Sequence, residues 1–467
     1  MERSRKRAWW TAGLLSLALV AAAAYLIVEV APIGTAYAAK RLCSGVFVSG
    51  REPAAVLAEE LEPYGYVSTL VDFEEKTVTC TILGMAKRKA VFREGLGSTL
   101  AVGISLDGLL RQTRGLTPTR RDRIDLPWPD GDLVKIGPLP VNIDAVKLSD
   151  ALDRALEEPD PSMPRRTRAV VVVYGGRIIA ERYASGFTES TPQLGWSMTK
   201  SVTALLAGVL VMQGRLNVAA PADVPEWGSP GDPRGRITLD QLLRMSSGLM
   251  FDEDYQDPCS DVARMLFAEA DAGGYAASKG LMNAPDTRWK YSSGTTNIIS
   301  RIVRRAAGES LPDFFLFPRR ALFDPIGMTS AVMEPDPTGT FVGSSFMYAT
   351  PRDWARLGLL CLNDGVWNGV RILPEGWMKY CTTPTPGARQ GKYGAQFWLN
   401  AGSPGHPEDR WMPRVPPDMC AMRGFEGQYV TIIPSKRLVV VRMGLSANEE
   451  SWDQESFLAD ILAALPD

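Results

Sequence analysis

The sequence predicts an α+β fold, and three observations carry that expectation: a strand hairpin early in the main domain, a second strand pair near the C-terminus, and apolar helical segments between them. Residues 168–174 and 177–183, rich in Val and Ile, flank Gly175-Gly176, a pair free to adopt the positive φ angles of a tight two-residue turn. Residues 428–434 and 437–444 read as the second pair, and residues 452–465 as a closing helix. Strands from both ends of a domain that join one antiparallel sheet leave the intervening helices to pack on its faces.

Taken in order, the chain begins with an address. Arg3, Arg5, Lys6 and Arg7 precede an uncharged, mostly apolar run from Ala8 to Val28. About 20 helical residues span a hydrocarbon core of about 30 Å, and positive charge ahead of the run favours keeping that end inside. Residues 1–38 are therefore expected to be a signal anchor in the inner membrane, with the catalytic domain in the periplasm. Ala36-Tyr37-Ala38 offers an A-x-A site, so the alternative is a cleaved signal peptide and a periplasmic product.

Residues 39–140 read as a β-containing segment, with short strands at 45–48, 77–83 and 89–92, followed by a Pro-rich connector through 126–131 and 138–140. Residues 141–467 form the main domain. After its first hairpin, Val202, Leu205, Leu206, Val209 and Leu210 recur at helical spacing, placing a buried helix over 197–212. Further helices are expected at 239–245, 261–269, 295–307 and 352–362.

Composition excludes several functions. With 45% hydrophobic and 22% charged residues the chain is ordinary for a globular protein, and a net charge of −2 gives no electrostatic case for nucleic acid. The one histidine, His406, lies in a loop-like stretch, so a Ser-His-Asp triad would depend on it alone and a His-rich zinc site is ruled out. Six cysteines show no C-x-x-C pair, so zinc or iron–sulfur ligation is not expected. Cys43 with Cys80 is the disulfide to test in an exported protein, with free buried thiols as the alternative.

Three motifs carry chemistry. Ser197-Met198-Thr199-Lys200 sets S-x-x-K at a helix start, where residues three apart share a face and an amine can approach a hydroxyl. Serine is a poor nucleophile until a base takes its proton, and a lysine does so only with a depressed pKa. Tyr291-Ser292-Ser293 enters the next helix, where a phenol could relay a proton to a leaving group. Arg423-Gly424-Phe425-Glu426-Gly427 precedes a strand; its glycines allow a close backbone approach, and an edge N–H could complete an oxyanion hole. Ser197, Ser293, Arg423, Gly424, Glu426 and Gly427 are the candidate oxyanion and substrate-binding residues.

In this order and spacing, with residues 237–249 (Ile-Thr-Leu-Asp-Gln-Leu-Leu-Arg-Met-Ser-Ser-Gly-Leu) between the first two motifs, the chain resembles the β-lactamase-related serine hydrolases from about Arg168 onward. That family includes class C β-lactamases, D-alanyl-D-alanine carboxypeptidases, esterases and 6-aminohexanoate-dimer hydrolases. The resemblance implies a β-lactamase-like domain, an antiparallel sheet flanked by helices plus an all-helical lobe. It also implies an acyl-enzyme on Ser197, Lys200 as base and Tyr291 as proton relay, with no metal or organic cofactor. Two departures stand out: Ser293 replaces the asparagine usual in penicillin-active members, and Arg423-Gly424-Phe425 replaces their Lys- or His-containing triplet. The expected reaction is hydrolysis of a small or oligomeric ester or amide. A D-amino-acid peptidase or penicillin-binding enzyme, and a non-catalytic membrane-tethered binding protein, are the alternatives.

Overall fold

The computed structural model describes residues 9–11, 14–18, 21, 25–116, 125–134, 138–308 and 310–466. Its centre is a six-stranded antiparallel sheet. In spatial order the strands are Trp398–Leu399, Cys420–Gly424, Gln428–Ile433, Leu438–Gly444, Thr167–Tyr174 and Arg177–Tyr183. The two ends of the main domain meet in it, Val441 beside Val171 and Val439 beside Val173. Gly175 and Gly176 both take positive φ, 57° and 82°, at the hairpin turn.

The run Val170–Val173 is fully buried because both faces of the sheet are covered. Val170, Val172 and Val440 face the helices Ala145–Leu156 and Gln454–Leu462, whereas Val171, Val173, Val439 and Val441 face the larger core. Gly358 of the helix Pro351–Leu362 lets that helix come close to Val439 and Val430, where a Cβ would collide. A helical lobe built from Leu239–Leu243, Asp261–Phe267, Ala272–Ala277, Ser293–Ala307 and Leu311–Pro318 completes the domain. The expected helices are all present, some shorter and some longer than expected at their ends.

The N-terminal region departs from the sequence expectation. Residues 45–48, read as a strand, end a helix, Ala31–Phe47, most of whose residues are buried. Small residues explain this: Gly45 faces Val56 with no room for a Cβ. A four-stranded antiparallel sheet, Ser68–Asp72, Thr77–Ile82, Met85–Arg93 and Gly97–Leu100, packs against the helix. The segment is thus an integral part of the fold. Lys40 donates to Ser98 O at 2.6 Å and to the Glu334 carboxylate of the main domain, and Ser44 Oγ and Ser98 N donate to the same carboxylate at 2.8 and 2.7 Å.

Ala36 and Ala38, the predicted cleavage residues, lie fully buried inside that helix. Thr35 Oγ1 donates to Ala86 O at 2.7 Å, and Tyr37 stacks on Tyr64 with ring centroids 4.9 Å apart. The apolar run from Ala8 falls only partly within the described residues. Among these, no helix is long and apolar enough to cross a membrane. Cys43 and Cys80 are both buried and free, as are Cys361, Cys381 and Cys420. His406 is exposed and pairs with Glu408 at 3.0 Å.

Candidate active site

Ser197 caps the helix Met198–Met212 at the end of a compressed elbow. Gly195 before it lies against the Trp354 ring and leaves no space for a Cβ, and Trp196 is held at φ +48°, a left-handed conformation that costs a non-glycine residue of order 1 kcal/mol or more. On the other side, a Cβ on Gly424 would strike the carbonyl of Gly195. The glycine predicted to admit a substrate thus admits the backbone of Gly195, two residues ahead of Ser197.

Lys200 sits one turn further along and is 1% exposed. Its Nζ donates to Ser197 Oγ at 2.9 Å, to Ser293 Oγ at 2.9 Å and to Ser344 O at 3.0 Å. All three partners are neutral. Burial therefore dominates and pushes the amine down to about 8, with the more distant Glu253 carboxylate opposing. The Tyr291 ring lies 4.8 Å from the same Nζ. Burial, reinforced by Glu253, raises the Tyr291 phenol well above its ordinary range, while interactions with the Ser197 hydroxyl and Arg423 oppose that rise. At neutral pH the phenol keeps its proton and the lysine is the group that can lose one.

Ser293, the first residue of the next helix, is placed by the turn that Ser292 caps through Thr295 N. Its hydroxyl accepts from Lys200 and donates to Glu253, whose other oxygen takes Ser293 N at 2.7 Å. Tyr255 OH also donates to Glu253, at 2.7 Å. One turn on, Asn297 binds both Ser344 Oγ and Ser344 N, fixing the segment whose carbonyl meets Lys200.

The structure therefore brings Ser197, Lys200, Tyr291 and Ser293 together. Arg423 lies nearby but is engaged: it donates to Glu449 at 2.8 Å and stacks among Trp398, Trp411 and Tyr429. Trp398 also packs on Tyr291, 5.5 Å between ring centroids. Glu426 accepts from Trp196 Nε1 at 2.8 Å. Gly427 faces the Arg442 guanidinium rather than Ser197. Glu253, Tyr255 and Ser344 were not singled out from sequence. The acidic run Asp252-Glu253-Asp254 was the one available signal. A cavity of about 840 Å³ lies elsewhere, lined by Phe47, Phe92, Arg319 and Arg352 among others.

Tyr255 and Phe425, both about half exposed, stack at 5.6 Å between centroids and 17° between planes. They join the 251–260 loop to the turn after Gly424. The arrangement can deliver a hydroxyl to a carbonyl placed beside Ser197, with an amine to take the proton and a phenol to return it.

The chain is 27% identical over 352 residues to the 6-aminohexanoate-dimer hydrolase of Paenarthrobacter ureafaciens, covering 69% of this chain and 82% of that protein. Among solved structures it resembles a family VIII carboxylesterase (TM-score 0.54, 15% identity, 69% of this chain and 98% of that one). It also resembles a penicillin-binding protein homologue from Caulobacter crescentus (TM-score 0.51, 17% identity, 71% and 99%). These structural likenesses speak to the fold. The beta-lactamase family model matches residues 153–464, the whole span that holds the sheet, the helical lobe and the Ser197 cluster, and the chain belongs to that family.

Proposed function

We propose that this protein hydrolyses a small or oligomeric ester or amide through an acyl-enzyme on Ser197. The observation that carries the reading is the environment of Lys200: buried, bonded only to neutral groups, 2.9 Å from the Ser197 hydroxyl and depressed to about 8. As Ser197 Oγ attacks the substrate carbonyl, its proton passes to Lys200 Nζ. Collapse of the tetrahedral adduct breaks the bond to the alcohol or amine, which leaves with a proton relayed through Tyr291 from Lys200. Water then attacks the acyl-enzyme, gives its proton to the same pair, and releases the acid and free Ser197. The N–H groups of Ser197 and of the turn after Gly424 serve as oxyanion donors. Glu253, one hydroxyl away from Lys200, stabilises the ammonium formed in each step, as a carboxylate does behind a catalytic histidine.

The named activities of the relatives, an aminohexanoate-dimer hydrolase and a carboxylesterase, support an amide or ester substrate. The occupied state of Arg423 and Ser293, bonded to Glu449 and Glu253, favours that class over a β-lactam, whose carboxylate would need a free cation. A fluorophosphonate probe is expected to label Ser197 and to lose that label in Ser197→Ala; labelling that persists in the mutant removes the nucleophile from this scheme. We also propose, from the basic N-terminus and the apolar run after it, a membrane-anchored periplasmic protein. Recovery of the full chain in the soluble fraction, with its N-terminus intact, would refute the anchor.

A further inference from the structure

Resting on the Ser197 reading, we propose that Arg41, in the helix Ala31–Phe47 outside the family domain, is a positioning residue that holds the nucleophile elbow against the turn facing it. Two residues with left-handed backbones flank Ser197: Trp196 at φ +48° on the elbow, and Glu426 at φ +61° in the Phe425–Gly427 turn. Neither conformation is favourable for a residue with a Cβ, so the surroundings must enforce both. The tie between them is direct. Trp196 Nε1 donates to Glu426 Oε2 at 2.8 Å, and the Trp196 and Phe425 rings meet edge to face, 5.9 Å between centroids.

That carboxylate is itself buried, which drives its pKa upward and works against the charged form that accepts the indole N–H. Arg41 supplies the compensation. Its guanidinium, 3% exposed, lies over the Trp196 ring at 4.9 Å, with Nη2 3.7 Å from Glu426 Oε2 and 2.6 Å from Glu60 Oε2. Glu60 is fixed in turn by Arg51 at 2.6 Å and by Arg168 of the central sheet at 3.0 Å. One cation from the N-terminal helix thus touches both strained residues on either side of the nucleophile and is anchored to the sheet behind them. A tilt of the elbow by a fraction of an ångström would move Ser197 Oγ relative to its base and to the opposing backbone N–H, and such errors fall on the chemical step rather than on substrate affinity.

The test uses the full chain and nitrophenyl butyrate. Arg41→Met is expected to lower kcat by about tenfold or more while KM stays within about twofold. Arg41→Met/Glu426→Gln, in which a neutral amide accepts the indole N–H without needing a cation, is expected to regain most of that loss. A normal kcat in Arg41→Met, or a loss that the double variant leaves unrelieved, overturns the proposal. Should Arg41→Met fail to fold, Trp196→Phe, which keeps the ring and removes the N–H, decides: kcat must fall with KM unchanged, and an unaltered kcat sinks the idea. A readout independent of turnover is the Trp196 indole resonance in ¹⁵N-Trp protein, assigned by its loss in Trp196→Phe. It must shift in Arg41→Met and return in the double variant; an unmoved signal refutes Arg41, whereas absence of Ser197-dependent turnover refutes only the hydrolase reading.

Discussion

Among the described residues two lysines are buried, and their surroundings are opposite. Lys40, in the N-terminal helix, sits directly on the Glu334 carboxylate and on Ser98 O. Lys200, beside Ser197, meets two hydroxyls and a carbonyl, with its nearest carboxylate one residue removed through Ser293. Burial lowers the pKa of both ammonium groups. Only Lys40 has an anion in contact to oppose that, and the contact clamps the N-terminal helix to the main domain. Lys200 is left able to give up its proton. The same side chain, equally removed from water, is fastened to a carboxylate in one place and held among neutral groups in the other; what separates them is the charge of the first atom each amine touches.

Exchanging the two lysines for apolar or truncated residues should expose this difference most sharply. Lys200→Ala is expected to reduce ester turnover by about a thousandfold or more, with the fold intact by circular dichroism. Lys40→Ala should leave an unpaired buried carboxylate and lose about 3–5 kcal/mol of stability in denaturant titration, while the residual folded protein still turns over substrate. If Lys40→Ala abolishes turnover in folded protein, or Lys200→Ala spares it, the comparison collapses.

A smaller effect separates them in stability. Lys200→Met should raise stability at pH 7 by roughly 1–3 kcal/mol, because it removes a buried ammonium that no anion touches directly; Lys40→Met should lower it. The sign follows from linkage. The folded-state pKa of Lys200, about 8, lies below the unfolded value of 10.5, so the unfolded state binds more protons and wild-type stability gains from this site as pH rises from 8 to 10.5. A flat profile across that window for wild type minus Lys200→Met would contradict the assigned environment.

The same pKa sets the rate profile. kcat/KM should rise with pH through about 8 as Lys200 becomes neutral. Glu253→Gln, which removes the charge favouring the ammonium, should move that limb to lower pH and lower the plateau. A limb that stays in place would mean that Glu253 does not reach the amine electrostatically. Smallest of all, His406→Ala should leave the rate unaltered, since the imidazole is exposed and bonded only to Glu408.

The sequence was most readable where burial is simplest. Val170–Val173 and Val439–Val441 form a sheet covered on both faces, and such strands appear as unbroken β-branched runs. S-x-x-K and Tyr291 were legible because a helix fixes the spacing of the first and a helix entry that of the second. Glu253 and Tyr255 were not, because they sit in an irregular loop with no periodicity to place them. The helix Ala31–Phe47 was missed for a different reason. It is enclosed nearly all round, by its own sheet and by the main domain, so it presents no polar stripe, and its Ala- and Gly-rich sequence carries no amphipathic signature. Nothing in the sequence marks Lys40 and Arg41; only the fold reveals carboxylates waiting for them more than 290 positions away.

The position of Ala36-Tyr37-Ala38 inside that helix has a practical corollary for anyone producing the enzyme. A recombinant start at Ala39, the natural choice if the leader is thought to end there, would delete Thr35 and Tyr37 and open the helix just ahead of Lys40 and Arg41. Such a truncation would fray the two anchor points on which the catalytic lobe leans, and a poorly active product would say little about the native protein. Expression boundaries belong upstream of Ala31.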